Sequence, residues 1–121
     1  NNYSVNEYHK KCEIYKLKPD LDKVEIQNNL KKLDSADVVI TDTWESMGEV
    51  VNEKIIKDFS SYTVNEEMMR IFGDECIFMH CLPANRGQEV TPEVIDGPQS
   101  VVWDEAQNRL HIQKEILKWC L

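Results

Sequence analysis

The sequence predicts an α/β fold, a mainly parallel sheet with helices on its faces, and three observations predict it. Val38-Val39-Ile40-Thr41 and Cys76-Ile77-Phe78-Met79 are short runs in which apolar residues do not alternate with polar ones. Runs of that kind belong to parallel strands covered on both faces. Between and after them the apolar spacing turns helical, so strand alternates with helix along the chain.

The elements follow in order. Val5, Tyr8, His9 and Cys12 lie at helical spacing, and Pro19 stops that segment. Val24-Glu25-Ile26 is a short strand candidate, and residues 28–33 read as a brief helix. After the Val38–Thr41 strand, Met47, Val51, Ile55 and Phe59 predict a helix. Thr63 and Glu66 form a capping-box pattern ahead of Met68, Met69 and Phe72. The second buried strand runs straight into His80-Cys81-Leu82-Pro83. Asn85 to Glu89 is polar, contains Gly87, and reads as a mobile loop. Thr91-Pro92 starts a short helix and Gly97-Pro98 ends it. Ser100-Val101-Val102-Trp103 is expected as a last strand, and Ala106, Leu110, Leu117 and Leu121 as one face of a final helix.

Bulk properties narrow the function. A chain of 121 residues is one domain's worth, and burial of roughly two thirds of its unfolded surface makes a core possible. A net charge of −8 argues against nucleic acid or an anionic membrane as partner. No apolar run approaches the roughly 20 residues that span a bilayer. The start, Asn1-Asn2-Tyr3-Ser4, shows neither initiator Met nor targeting segment and reads as a chain entered in the middle. Cys12, Cys76, Cys81 and Cys120 form no Cys-x-x-Cys pair and no metal-ligand spacing. A reducing compartment is therefore expected, and neither metal nor cofactor.

In parallel α/β sheets, ligands bind beyond the carboxyl ends of the strands. Two polar loops stand there, Asp42-Thr43-Trp44-Glu45-Ser46-Met47-Gly48 and His80-Cys81-Leu82-Pro83. Asp42 can pair with an ammonium group, or simply cap the next helix. Ser46-Met47-Gly48 can offer backbone N–H groups to a carboxylate, or be an ordinary helix entry with Met47 in the core. Cys81 can have its thiol pKa lowered by a charged partner and act as thiolate or proton acceptor, or be inert. His80 can orient a substrate or be a satisfied buried histidine. Pro83 lacks an N–H, which leaves the Leu82 carbonyl as a fixed acceptor. Arg109 suits carbamoyl or phosphate oxygens, against an i,i+4 salt bridge with Glu105. His111 and Lys114 read as the solvated side of the last helix. The Asn85-Arg86-Gly87 loop can fold over a ligand as a lid, or be an idle surface loop.

These stretches, with Glu105-Ala106-Gln107-Asn108-Arg109-Leu110-His111, resemble in order and spacing the C-terminal half of ornithine carbamoyltransferases. Tyr62 to Asn65 and Val90 to Pro98 resemble the family too. The resemblance covers about residues 36 to 117 and is weak before them. Ser46-Met47-Gly48 is its specific part, since transferases for other amines carry a different loop there.

The resemblance implies a Rossmann-like three-layer domain, truncated at its N-terminal side, with residues 1–121 as the ornithine-binding domain. It implies transfer of a carbamoyl group from carbamoyl phosphate to the side-chain amine of L-ornithine, giving citrulline and phosphate. Asp42, Ser46 and Met47 would meet the amino-acid end of ornithine. Cys81 would be the proton acceptor, with Asp42 as the second catalytic residue. The backbone at Cys81 and Leu82 would meet the carbamoyl group, and Arg109 the carbonyl side of carbamoyl phosphate. Family members carry a Ser-x-Arg-Thr-Arg phosphate loop in an N-terminal domain, and these 121 residues contain none. The chain alone is therefore expected to be inactive, the homotrimer to belong to the full-length protein, and the location to be the cytoplasm or mitochondrial matrix. The alternatives are a non-catalytic binding module, an inactive fragment, or a carbamoyltransferase for another amine. A nicotinamide-binding domain lacks its Gly-x-Gly-x-x-Gly here.

Overall fold

The structure is a computed structural model that describes residues 33, 35–44 and 53–121. The expected elements between Val5 and Ile26, nearly all of the 28–33 helix and the Ser46-Met47-Gly48 loop lie outside the described residues.

Strand β1, Val38–Thr41, pairs in parallel with strand β2, Ile77–His80. Their β-branched and apolar side chains suit a pleated, half-buried surface. The register sets Val38 opposite Ile77 and Thr41 opposite His80, so both strands end at the same level. On the other side of β2, the Phe78 N–H donates to the Gln99 carbonyl and the Val101 N–H to the Phe78 carbonyl. Ser100 thus forms a parallel bridge to Phe78.

That bridge is all of the strand expected over Ser100–Trp103. Helix α4, Val102–Cys120, begins instead, with Asp104 and Glu105 in its first turn, where negative charge favours the helix dipole. Val102 enters the core while Trp103 faces outward.

Three shorter helices fill the connections: α1, Glu53–Phe59; α2, Glu66–Phe72; and α3, Pro92–Ile95. A 3-10 turn, Ser60–Tyr62, follows α1. The cap of α2 differs from the capping box expected at Thr63. Asn65 is the cap, its Oδ1 accepting from the Met68 N–H at 2.9 Å. Thr63 is engaged one turn earlier, its hydroxyl donating to the Ser60 carbonyl. Helix α3 starts at Pro92 and ends at Ile95, and at Gly97 just beyond it an added Cβ would collide with the Glu93 carbonyl.

The core joins Val64, Met69, Cys76, Phe78, Val90, Val94, Ile95 and Val102, with Val39 packed against it. Phe78 and His80 of β2 point into this layer. Among the described residues, strand β1 is covered on one face only. Val39 is half-buried, but Val38 and Ile40 on the opposite face are exposed, Ile40 by 67%. The expected covering of both faces is therefore not supplied by the described residues. The final helix is likewise longer than its support. Leu110, Leu117 and Leu121 are all exposed, as is Ala106, so the expected apolar stripe forms but stays open among the described residues. No described helix is long and apolar enough to cross a membrane.

The two candidate caps make distinct predictions. Asn65→Ala should cost about 1 kcal/mol of stability, measured by urea unfolding, and Thr63→Ala clearly less. The reverse order would contradict the assigned cap.

Candidate functional site

Because Thr41 and His80 are register partners, the residues that leave the sheet together are Asp42 and Cys81. They meet. The Cys81 thiol donates to Asp42 Oδ1 at 2.9 Å, and the Thr43 N–H donates to the same oxygen at 2.7 Å. A second link joins the loops, from Asn85 Nδ2 to Thr43 Oγ1 at 3.0 Å.

This geometry decides the direction of the thiol's pKa. The hydrogen bond to the Asp42 carboxylate pushes Cys81 above the ordinary thiol value, and burial and repulsion from the same charge add to it. The donated thiol and the Thr43 N–H hold Asp42 below the usual carboxylate range. The expectation of a lowered Cys81 pKa is thereby corrected. A charged partner is present, but it is an anion, and an anion favours the neutral thiol.

His80 turns inward. It is 1% exposed, and both ring nitrogens are engaged, Nδ1 by the Leu82 N–H at 2.9 Å and Nε2 by Glu89 Oε1 at 3.2 Å. Of its two readings the structure carries the buried, satisfied histidine. Its backbone N–H donates to Glu105 Oε2 at 3.0 Å. Leu82 has a φ of +51°, and the Leu82–Pro83 bond is cis.

Arg109 lines a cleft of about 480 Å³ with His80, Cys81, Glu105 and Ile112. The salt bridge with Glu105 is not made, since Glu105 is turned toward the His80 N–H, and Arg109 forms no ion pair among the described residues. His111 and Lys114 are exposed, as expected. On the Asp42 side lies a second hollow of about 380 Å³, walled by Trp44, Phe59 and Tyr62. Another hollow, about 180 Å³ and lined by Glu66, Arg70 and Glu93 among others, contains no residue of either loop. Among the described residues, no group of three His, Cys, Asp or Glu side chains is placed to hold a metal ion.

With this arrangement in view, a family described as "Aspartate/ornithine carbamoyltransferase, Asp/Orn binding domain" matches residues 3–120. The chain belongs to this carbamoyltransferase family. It is 59% identical over 87 residues to the ornithine carbamoyltransferase of Dechloromonas aromatica, covering 71% of this chain and 28% of that protein. Among solved structures, it is similar to ornithine carbamoyltransferase from Pyrococcus furiosus, with 50% identity and a TM-score of 0.66 over 73% of this chain and 28% of that one. The anabolic enzyme from Campylobacter jejuni is 35% identical, with a TM-score of 0.68 over 96% of this chain and 38% of that one. The chain thus spans well under half the length of these carbamoyltransferases.

Sequence reasoning missed the deepest part of this candidate site. Glu89, assigned to a mobile loop, is fully buried. Its Oε1 lies 3.2 Å from His80 Nε2 and accepts from the Asn85 N–H, while its backbone carbonyl accepts from the Val64 N–H. Arg86 is also tied down, making two hydrogen bonds to Asp96 at 2.8 and 3.0 Å. The segment expected to be a mobile loop or lid is a pinned turn. A glutamate beside Val90 at the end of a polar stretch offered no local signal of burial.

The Asp42–Cys81 bond predicts thiol behaviour. Asp42→Asn removes the charge and keeps a hydrogen-bond acceptor, so the pH profile of Cys81 alkylation, followed by peptide mapping, should shift to lower pH. An unchanged or upward-shifted profile would contradict the assigned cause.

Proposed function

We propose that this chain is the amine-binding domain of an ornithine carbamoyltransferase. It would work with a separate carbamoyl-phosphate domain to form citrulline and phosphate from L-ornithine and carbamoyl phosphate. One observation carries the reading: the β1–β2 register sets an ionised Asp42 against Cys81, between a hollow with aromatic walls and a cleft that holds Arg109.

The chemistry follows from what each group can do. Asp42, held below the usual carboxylate range, pairs with the ammonium group at the amino-acid end of ornithine. By the family resemblance, Ser46 and Met47 would meet the carboxylate at that end. The side-chain ammonium must lose a proton before its nitrogen can attack the carbonyl carbon. Cys81 is the acceptor for it, and because the thiol is itself protonated, its own proton passes along the hydrogen bond to Asp42, whose exposed carboxyl releases it to solvent and stays ionised. A positioned acceptor contributes about 10²–10⁴ in rate. The new C–N bond forms as the C–O bond to phosphate breaks, and phosphate leaves with that electron pair and with the second proton of the attacking nitrogen. The Leu82 carbonyl and the backbone at Cys81 meet the carbamoyl group. Arg109 steadies the carbonyl oxygen as negative charge gathers on it. His80 contributes from beneath rather than by contact with substrate.

The phosphate-holding loop belongs to the other domain, so this chain alone should release no citrulline at an appreciable rate. The full protein is read as a homotrimer of the cytoplasm or mitochondrial matrix, with an arginine-metabolism substrate.

A chimera tests the reading. Residues 36–117 replace the matching segment of the Dechloromonas aromatica relative, and the carbamoylated product, citrulline or carbamoylaspartate, is measured with ornithine or aspartate as acceptor. Citrulline from ornithine alone, reduced at least about 100-fold by Asp42→Ala, is the expected result. A folded chimera that carbamoylates aspartate, or neither amine, would overturn it.

A further inference from the structure

Two buried side chains lie under the Cys81–Leu82 turn and touch none of the reacting groups above. We propose that Glu89 and His80 are positioning residues, a hydrogen-bonded pair that sets the shape of the Cys81–Leu82 turn from below through the Leu82 N–H.

The tautomer follows from the hydrogen bonds. His80 Nδ1 faces a backbone N–H, that of Leu82, at 2.9 Å. A nitrogen that accepts there carries no proton, so the proton of the neutral ring sits on Nε2. Nε2 lies 3.2 Å from Glu89 Oε1, which accepts that proton's hydrogen bond. Glu89 thus selects the ring form that leaves Nδ1 free to hold Leu82. With both side chains essentially inaccessible to solvent, no water can replace either partner easily.

The pair also closes the turn on its far side. The Oε1 atom of Glu89 accepts from the Asn85 N–H as well, and the Asn85 side chain reaches across to Thr43 beside Asp42. Cys81 to Ala84 are therefore suspended between two bonds that end on one histidine–glutamate pair. Leu82 needs that hold, because a φ of +51° is a conformation leucine seldom adopts unless its surroundings impose it. Glu89 is itself fixed by its backbone, through the Val64 N–H and the bridge from Val64 to Val90.

Loss of the pair should release the turn and separate the Cys81 thiol from Asp42. The charged groups near Cys81 are then decisive. Asp42 raises its pKa most and Glu105 adds a smaller push, while Arg109 lines the same cleft. The functional consequence rests on the carbamoyltransferase reading; the positioning itself does not.

The experiment uses the full chain, with no substrate. Nitrogen-15 NMR of the His80 ring reports its tautomer, and iodoacetamide alkylation mapped to Cys81 reports its pH profile. The unaltered chain should carry the His80 proton on Nε2. Glu89→Gln, which keeps an oxygen acceptor, should leave tautomer and profile in place. Glu89→Leu should move the Cys81 midpoint down by about one pH unit, a tenfold faster reaction at neutral pH. In the chimera the same variant should lower kcat more than it raises KM for ornithine. A proton on Nδ1 in the unaltered chain overturns the proposal whether or not Glu89→Leu folds. A folded Glu89→Leu with an unmoved Cys81 profile overturns it too. If the chimera makes no citrulline while tautomer and thiol behave as expected, the functional reading fails and the positioning stands.

Discussion

The pairing of Thr41 with His80 across two parallel strands is the constraint from which the site follows. Parallel strands run in one direction, so a fixed register brings two segments far apart in sequence out of the sheet at one level. A slip of one residue would turn every side chain of a strand to the other face, sending Phe78 and His80 out of the core they fill. Packing of β2 therefore enforces the register, and the register enforces the meeting of Asp42 with Cys81. The contact between the two candidate loops is in this way secured by the buried side chains of β2.

Beneath that contact the fold places a polar group where apolar ones would have packed. Burying Glu89 beside His80 carries a desolvation cost that only directed hydrogen bonds offset. The return is geometry. Two bonds from the pair reach the turn that carries Cys81, and Glu105 anchors the end of β2 through the His80 N–H. The residues named for chemistry stand at the surface, while those that aim them are covered.

Much of this was legible in the amino-acid order, and the limits have physical causes. The two strands and the loops beyond them were readable because β-branched runs and strand ends are local patterns. The α2 start was readable within two residues, yet Asn65 rather than Thr63 caps it, since both are good caps and backbone geometry chooses between them. The stretch at Ser100 reads as a strand by side-chain type, but only its first part finds a partner in β2 before the acidic first turn of α4 takes over. The coverage of Ile40 depends on what packs there, which no run of four residues records. The direction of the Cys81 shift and the burial of Glu89 depend on neighbours 39 and 9 residues away. Both are tertiary facts. Asp42, Cys81, Leu82 and Arg109 were nameable; the network holding three of them was not.

The central claim is that Asp42 and Cys81 form the amine end of a carbamoyl-transfer site. Its most direct measurement is a crystal structure of the chimera with L-ornithine and an unreactive carbamoyl phosphate analogue. The account predicts the amino-acid end of ornithine on Asp42, its side-chain nitrogen within hydrogen-bond reach of Cys81 Sγ, and the carbamoyl oxygen against Arg109. Ornithine bound elsewhere, with the Asp42–Cys81 pair untouched, would contradict it.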